Sequence, residues 1–308
     1  RKSYRLNNKE SIKTDGYSFN SGRNPAYGTP INYYLPDTLT KKVSIEIRDE
    51  KNQIIRTLKG SNEIGVNRVM WDLRYEPTYK PQLRTRPTGR PWVQLNGEGW
   101  RPLVTWDLDL WSGQYGPRVV PGKYKAVITI DDASFEKDLV VLKDPLAQGS
   151  LADLEAQVQF SLALREAMNV AVTMINKIEY IRSELLLLKT SLKKNSELKQ
   201  VDRLMGIATQ IAGSLYDIHL TGAREDAFRS PMKLYGRLSA LASEINSSGI
   251  DFKPTDQQGA VYEVLNQRLQ KTKGAFDELI DHNIAAFNKQ LNDLDMHIDI
   301  EKKMEKSN

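Results

Sequence analysis

The chain has 308 residues, of which 40% are hydrophobic and 27% charged, a globular composition with room for two domains that each bury a core. It contains no cysteine, which excludes thiol catalysis, disulfides and cysteine-ligated zinc, and no stretch approaches the roughly 18 apolar residues of a membrane span. The net charge of +5 is uneven: residues 1–148 hold 24 Lys and Arg against 17 Asp and Glu, and residues 149–308 hold 20 against 22. The basic excess of the first half contains no run of about five or six like charges, so nucleic acid is not expected as a partner.

The sequence opens at Arg1 without an initiator Met or a signal-peptide pattern, as an internal or processed segment would. Residues 1–24 are polar and lack a sustained apolar period, which predicts a linker or an extended edge. From Pro25 the pattern alternates: Ile31, Tyr33 and Leu35, then Val43, Ile45 and Ile47, then Val69, Trp71 and Leu73. Period two between turn residues predicts half-buried antiparallel strands. Tyr124, Ala126, Ile128 and Ile130 continue it, and Asp131 to Ser134 predict a hairpin into Phe135 to Leu142. Residues 25–148 are thus expected to form an antiparallel β-sandwich.

At Asp144-Pro145 the period changes to steps of three and four, so residues 149–308 are expected to be helical. The first helix is predicted over about 151–194, roughly 65 Å at 1.5 Å per residue, and the second over about 197–220. Ser230-Pro231 predicts the start of a third, as an N-cap followed by proline. Thr255 with Gln258 predicts a capping box for a fourth, whose apolar stripe continues through Leu265, Leu269, Phe276, Leu279, Leu291, Leu294 and Ile298. Short connections between such helices predict an antiparallel bundle.

All five tryptophans fall within Trp71 to Trp111, and Trp92, Trp100, Trp106 and Trp111 share an irregular insert at 77–118 with Arg84, Arg86, Arg90 and Arg101. Aromatic faces beside guanidinium donors can bind a glycan; equally, a loop of this length needs a core of its own, which tryptophans supply. Asp107 and Asp109 alternate with apolar residues, so on a strand they would share one face about 7 Å apart, a spacing open to a glycosidase pair or a calcium site, or simply to a wet strand face. Asp293, Asp295, His297 and Asp299 look rich in ligands, but on a helix residues two apart point in nearly opposite directions, so only i,i+4 pairs such as Asp293 with His297 could converge, and no metal or cofactor is assigned. No nucleophile elbow, Walker loop or zincin motif is present, and no catalytic residue is assigned.

One further pattern concerns motifs: Val43-Ser-Ile-Glu-Ile-Arg-Asp49, Leu58-Lys-Gly60, Gly65-Val-Asn-Arg-Val-Met-Trp-Asp72 and Pro121-Gly-Lys-Tyr124. They resemble the immunoglobulin-like module of flagellar hook-capping proteins and of many secreted bacterial proteins. With the lead-in Asn24 to Gly28 and Ile31 to Leu35, and a helical segment after Asp144-Pro145, residues 24–145 resemble the C-terminal region of bacterial sortilin-type, Asp-box propeller proteins, often labelled glycosyl hydrolases. The insert departs from that family's short loop. The resemblance implies a multi-domain α and β chain, an antiparallel immunoglobulin-like β-sandwich followed by an antiparallel α-helical bundle, exported to the periplasm, cell surface or medium. It implies a non-catalytic structural and protein-interaction region, meeting an upstream β-propeller, another protein, or a second copy through the bundle. The alternatives are a glycan-binding module built on the insert and, third, a glycoside hydrolase using Asp107 and Asp109.

Overall fold

The computed structural model describes residues 2–6, 26–38, 42–104, 114–223, 225–226, 229, 231–247, 251–291 and 297–299. The chain divides into two compact units, one comprising Arg1–Pro77, Tyr115–Leu162 and Ile245–Pro254, the other Thr78–Gln114, Ala163–Glu244 and Thr255–Asn308.

The first unit contains β1 (Lys2–Arg5), β2 (Thr29–Leu35), β3 (Ser44–Arg48), β4 (Ile54–Lys59) and β5 (Gly65–Trp71), with β8 (Gly122–Ile130) and β9 (Ala133–Lys143) beyond the insert. Alternation decides which residues go inside: Ile31, Tyr33 and Leu35 of β2 and Ile45 and Ile47 of β3 are buried, with the residues between them exposed or half-buried. They join Tyr124, Ala126, Ile128, Leu139 and Val141 in one core. Trp71, the largest side chain buried in it, has no exposed surface. Its ring meets Tyr124 edge-on at 5.4 Å, and its indole N–H donates to the Arg74 carbonyl at 3.0 Å, so the one polar atom of the side chain is satisfied. Gly28 closes the start of β2, where any Cβ would collide with the Trp71 carbonyl and the backbone holds φ at +114°.

The strand pairing corrects the expected fold class. The five-stranded sheet runs β1-β9-β8-β3-β4 and is mixed, because β1 pairs parallel with β9 from Lys2↔Val140 to Arg5↔Lys143. β2 and β5 form a separate two-stranded sheet. This is not the antiparallel immunoglobulin-like sandwich that the period and the motifs predict. The physical reason lies in β1: four residues, two of them Lys and Arg, leave no period to read, and its partner is the end of a strand more than a hundred residues away. The hairpin itself is present, and it is tighter than predicted, with β9 starting at Ala133 after a two-residue turn whose Asp131 takes φ +51°, a conformation Asp tolerates.

The helices are α1 (Leu151–Ser191), α2 (Asn195–Leu215), α3 (Leu234–Ser247), α4 (Asp256–Glu278) and α5 (Ala285–Leu291), with a π-helical segment, Leu279–Ile284, between the last two. Ser150 and Asp153 cap α1: the Asp153 carboxylate accepts from Ser150 N–H at 2.9 Å, and Asp153 N–H donates to the Ser150 hydroxyl at 3.1 Å. The Thr255–Gln258 capping box opens α4 as predicted. Ser230 lies outside the described residues, and α3 begins at Leu234. An antiparallel helical bundle does not follow the strands. The first twelve residues of α1 belong to the unit that holds the five-stranded sheet, the rest belong to the second, and that second unit also takes in most of the insert, Thr78–Gln114, with the two-residue strands β6 (Gln82–Leu83) and β7 (Arg101–Pro102). The architecture is mixed α and β. Periodicity identifies an apolar stripe on a helix but not the element that covers it. Among the described residues, no helix is long and apolar enough to cross a membrane.

The first unit is drawn from distant stretches of chain, and a buried ionic cluster joins them. Arg5 of β1 lies 3.2 Å from the Asp251 carboxylate and Arg118 lies 3.5 Å from the same oxygen, all three side chains being at most 5% exposed. Arg5 also donates to Gln157 of α1 at 2.7 Å. Burial pushes the Arg5 guanidinium down to about 10, with Arg118 adding to the fall and Asp251 opposing it. Gly149 lies so close to the Asp251 backbone that any Cβ would collide with its carbonyl. Removing one partner of a buried pair leaves the other charge uncompensated. Asp251→Ala is therefore expected to lower unfolding free energy by about 3–5 kcal/mol in urea titration, with Asp251→Asn intermediate. A loss within about 0.5 kcal/mol, the range of ordinary surface changes, would show that the cluster does not hold these segments.

Candidate interaction surface

The insert has almost no sheet of its own, since β6 and β7 share only two residue pairs. Its backbone donors and acceptors must therefore find partners elsewhere. They find them on α1. Asn169, Asn176 and Glu179 are seven and three residues apart, and so lie along one helix face. The Asn169 side chain accepts from Tyr79 N–H at 2.9 Å. Asn176 accepts from Gln82 N–H at 2.7 Å and donates to the Lys80 carbonyl at 3.2 Å, pairing with residues two apart as a neighbouring strand would. Glu179 accepts from Thr85 N–H at 2.8 Å and from the Thr85 hydroxyl at 2.9 Å.

Glu179 has no exposed surface, and its charge is compensated from several sides. Arg182, one turn along α1, donates to it, and the Tyr216 hydroxyl donates at 2.6 Å. Arg101 of β7, also buried, donates to the Leu220 carbonyl at 2.8 Å and to the Thr85 carbonyl at 3.2 Å. Burial lowers the Arg101 pKa, with Glu179 the main opposing influence. Burial raises the Tyr216 hydroxyl well above the usual tyrosine range, and the Glu179 charge adds to the rise. Beyond Leu220, the buried Asp226 carboxylate accepts from Thr221 N–H at 2.6 Å and Gly222 N–H at 2.9 Å, closing the turn after α2.

The residues singled out in the insert separate into distinct environments. Trp92 is 63% exposed, and the Arg90 guanidinium stands over its ring at 5.9 Å from the centroid, a cation–π geometry. Arg86 is exposed and donates to the Val93 carbonyl at 3.0 Å. Trp100 is half-buried, its indole N–H donating to Glu98 at 2.6 Å. Arg84 is half-buried beside Gln82, at 3.4 Å. Arg101 belongs to the interior network and is not on the surface with Arg86 and Arg90. Trp106, Trp111, Asp107 and Asp109 lie outside the described residues. Among the described residues, no group of three or more His, Asp or Glu is placed to hold a metal ion.

A second surface was not anticipated from the sequence. Within the second unit, Lys233, Arg237, Arg268 and Lys271 line a cavity of about 660 Å³ bordered by α2, α3 and α4, together with Ile207, Ile211 and Leu234. The signal was present as like-charged pairs at helical spacing, 233 with 237 and 268 with 271, beside an apolar stripe. Nothing in a linear reading shows that the two pairs converge.

No protein-family model matches the chain, and no curated protein sequence matches it.

The buried tyrosines make the second unit sensitive to alkali. Burial pushes the Tyr235 hydroxyl up to about 12, and Tyr216 is raised well above its ordinary value of 10. An acid whose folded pKa exceeds its unfolded one stabilises the fold fully below the unfolded value, and that stability is lost as pH rises through the folded value. The urea midpoint is thus expected to hold up to about pH 10 and then fall between about pH 10 and 12, with a shallower fall for Tyr216→Phe. Ionisation of all thirteen tyrosines in one step near pH 10 in the folded protein, followed by absorbance, would refute the assignment.

Proposed function

We propose that this chain is a non-catalytic structural and protein-interaction region of a larger exported propeller protein. The observation that carries the reading is the buried network around Glu179, whose charged and polar groups hold the insert, α1 and the turn after α2 together. Glu179, Arg101, Arg182 and Tyr216 bond one another or nearby backbone, an arrangement suited to a fixed scaffold rather than to groups awaiting a substrate. The link to a propeller rests on the likeness of residues 24–145 to sortilin-type proteins. Its physical support is that Trp71 and Tyr124, two aromatic residues of those motifs, pack against each other in the core of the first unit.

The test is to read the coding sequence upstream of Arg1 for Asp-box repeats, produce that segment separately, and titrate it into this chain by calorimetry. Repeats, saturable binding, and recovery of the full-length protein from the periplasm, cell surface or medium are expected. Absence of repeats, or repeats that do not bind, would overturn the reading.

A second reading, a glycan-binding module, is favoured by one observation, the exposed Trp92 ring with Arg90 beside it. Intrinsic fluorescence titration with neutral and acidic polysaccharides separates the two. A saturable change lost in Trp92→Ala would establish the glycan module, and a flat response across the panel would dismiss it.

A further inference from the structure

The cavity lined by the four cations does not stand alone. A second one of about 570 Å³ adjoins it and shares Pro231, Met232 and Arg237 with it, so the two form one trough. Along α4 the lining runs from Gln257 to Ala275, a length of about 27 Å at 1.5 Å per residue. The apolar lining includes Ile207, Ile211, Leu234, Leu241, Val261 and Leu265. Val261 on its border is 49% exposed, and the neighbouring Val264 is 47% exposed.

Charge is distributed along this trough with a direction. The first lobe carries Lys233, Arg237, Arg268 and Lys271 and no carboxylate, whereas the second shares only Arg237 of these and adds Glu244. Among the described residues, none of the four cations is in an ion pair. Arg237 is held in place by its Nε–H, which donates to the Met232 carbonyl at 3.1 Å. Like charges gathered on one side of an apolar surface repel one another unless an anionic partner meets them.

We propose that this trough binds an acidic amphipathic helix of a partner polypeptide. The inference deepens the interaction reading and rests on its protein-binding part. Either lobe alone has the size of a small-molecule site; the two together match a helix of about 18 residues laid lengthwise. An apolar stripe at i, i+4 and i+7 enters the trough, as in other helix-in-groove complexes, and acidic side chains flank it at the end that meets the four cations. The partner helix lies with its C-terminus over the cationic lobe and its N-terminus toward Glu244, so that its macrodipole agrees with the charges at both ends. Met232, shared by both lobes, supplies an adaptable side chain at the waist.

The experiment uses the intact chain and a fluorescein-labelled helical peptide of about 18 residues with leucines at that spacing and glutamates flanking one end. A scrambled peptide of the same composition is the control. Fluorescence anisotropy is expected to show saturable binding to the ordered peptide, at least about tenfold weaker for the Arg268→Glu/Lys271→Glu variant and weakened at about 0.5 M NaCl. Arg268 and Lys271 are exposed, and Val261→Asp provides an independent disruption of the apolar part. A photo-crosslinker in the peptide, used with the unaltered chain, is expected to label residues between 257 and 275. Equal binding of the scrambled peptide, indifference to both variants, or labelling elsewhere would overturn the proposal. So would binding of vesicles of phosphatidylglycerol and phosphatidylcholine that the charge reversal abolishes when the peptide does not bind, which would assign the trough to lipid. If the peptide fails while the upstream segment still binds, the trough inference falls and the interaction reading stands; if the peptide binds and the upstream segment does not, the propeller link falls and the trough remains.

Discussion

A carboxylate without access to water must be surrounded by donors, and Glu179 imposes that requirement on much of the second unit. Its position on α1 brings Thr85 of the insert, Tyr216 at the end of α2 and Arg182 of its own helix to one point. Arg101 then extends the arrangement to the turn at Leu220. Breaking one member of such a set costs more than the set contributes over an apolar substitute. Its role is thus better understood as choosing one path for the chain than as adding net stability. The insert follows that path because its short strands cannot satisfy their own backbone, and the side chains of Asn169 and Asn176 act as the missing neighbours.

The first unit meets a similar problem with different means. Its core is apolar and includes the fully buried Trp71, so its strands are held by alternation and burial. Its non-local segments are joined at Asp251, where two arginines and one carboxylate are withdrawn from solvent together. Desolvation dominates there: it lowers Arg5 and raises Asp251 despite their attraction. Such a cluster specifies which segments come together, since any other arrangement would strand a buried charge.

These internal demands separate the residues committed to the fold from those left for partners. Arg101 shares the insert with Arg86 and Arg90, yet only the latter two sit outside the buried network. Trp92 presents a ring to solvent while Trp71 does not. Lys233, Arg237, Arg268 and Lys271 gather along an apolar trough, and among the described residues none of them is in an ion pair. The surfaces open to recognition are accordingly aromatic and cationic, in keeping with a chain of net charge +5.

The alternation of Ile31, Tyr33 and Leu35 and of Ile45 and Ile47 determined strands and their buried faces. The Thr255–Gln258 pair determined the start of α4, and the change of period after Asp144 determined where helices replace strands. These are local matters, set by steric preference and by which face of an element is apolar. Tertiary structure alone decided that Lys2–Arg5 adds a parallel strand to β9, that Asn176 and Glu179 receive backbone from residues 94 positions away, and that the two pairs of cations share one trough. Periodicity records that a face is buried or that a charge lies beside it, whereas the partner it meets depends on how all the buried faces and polar groups can be satisfied at once.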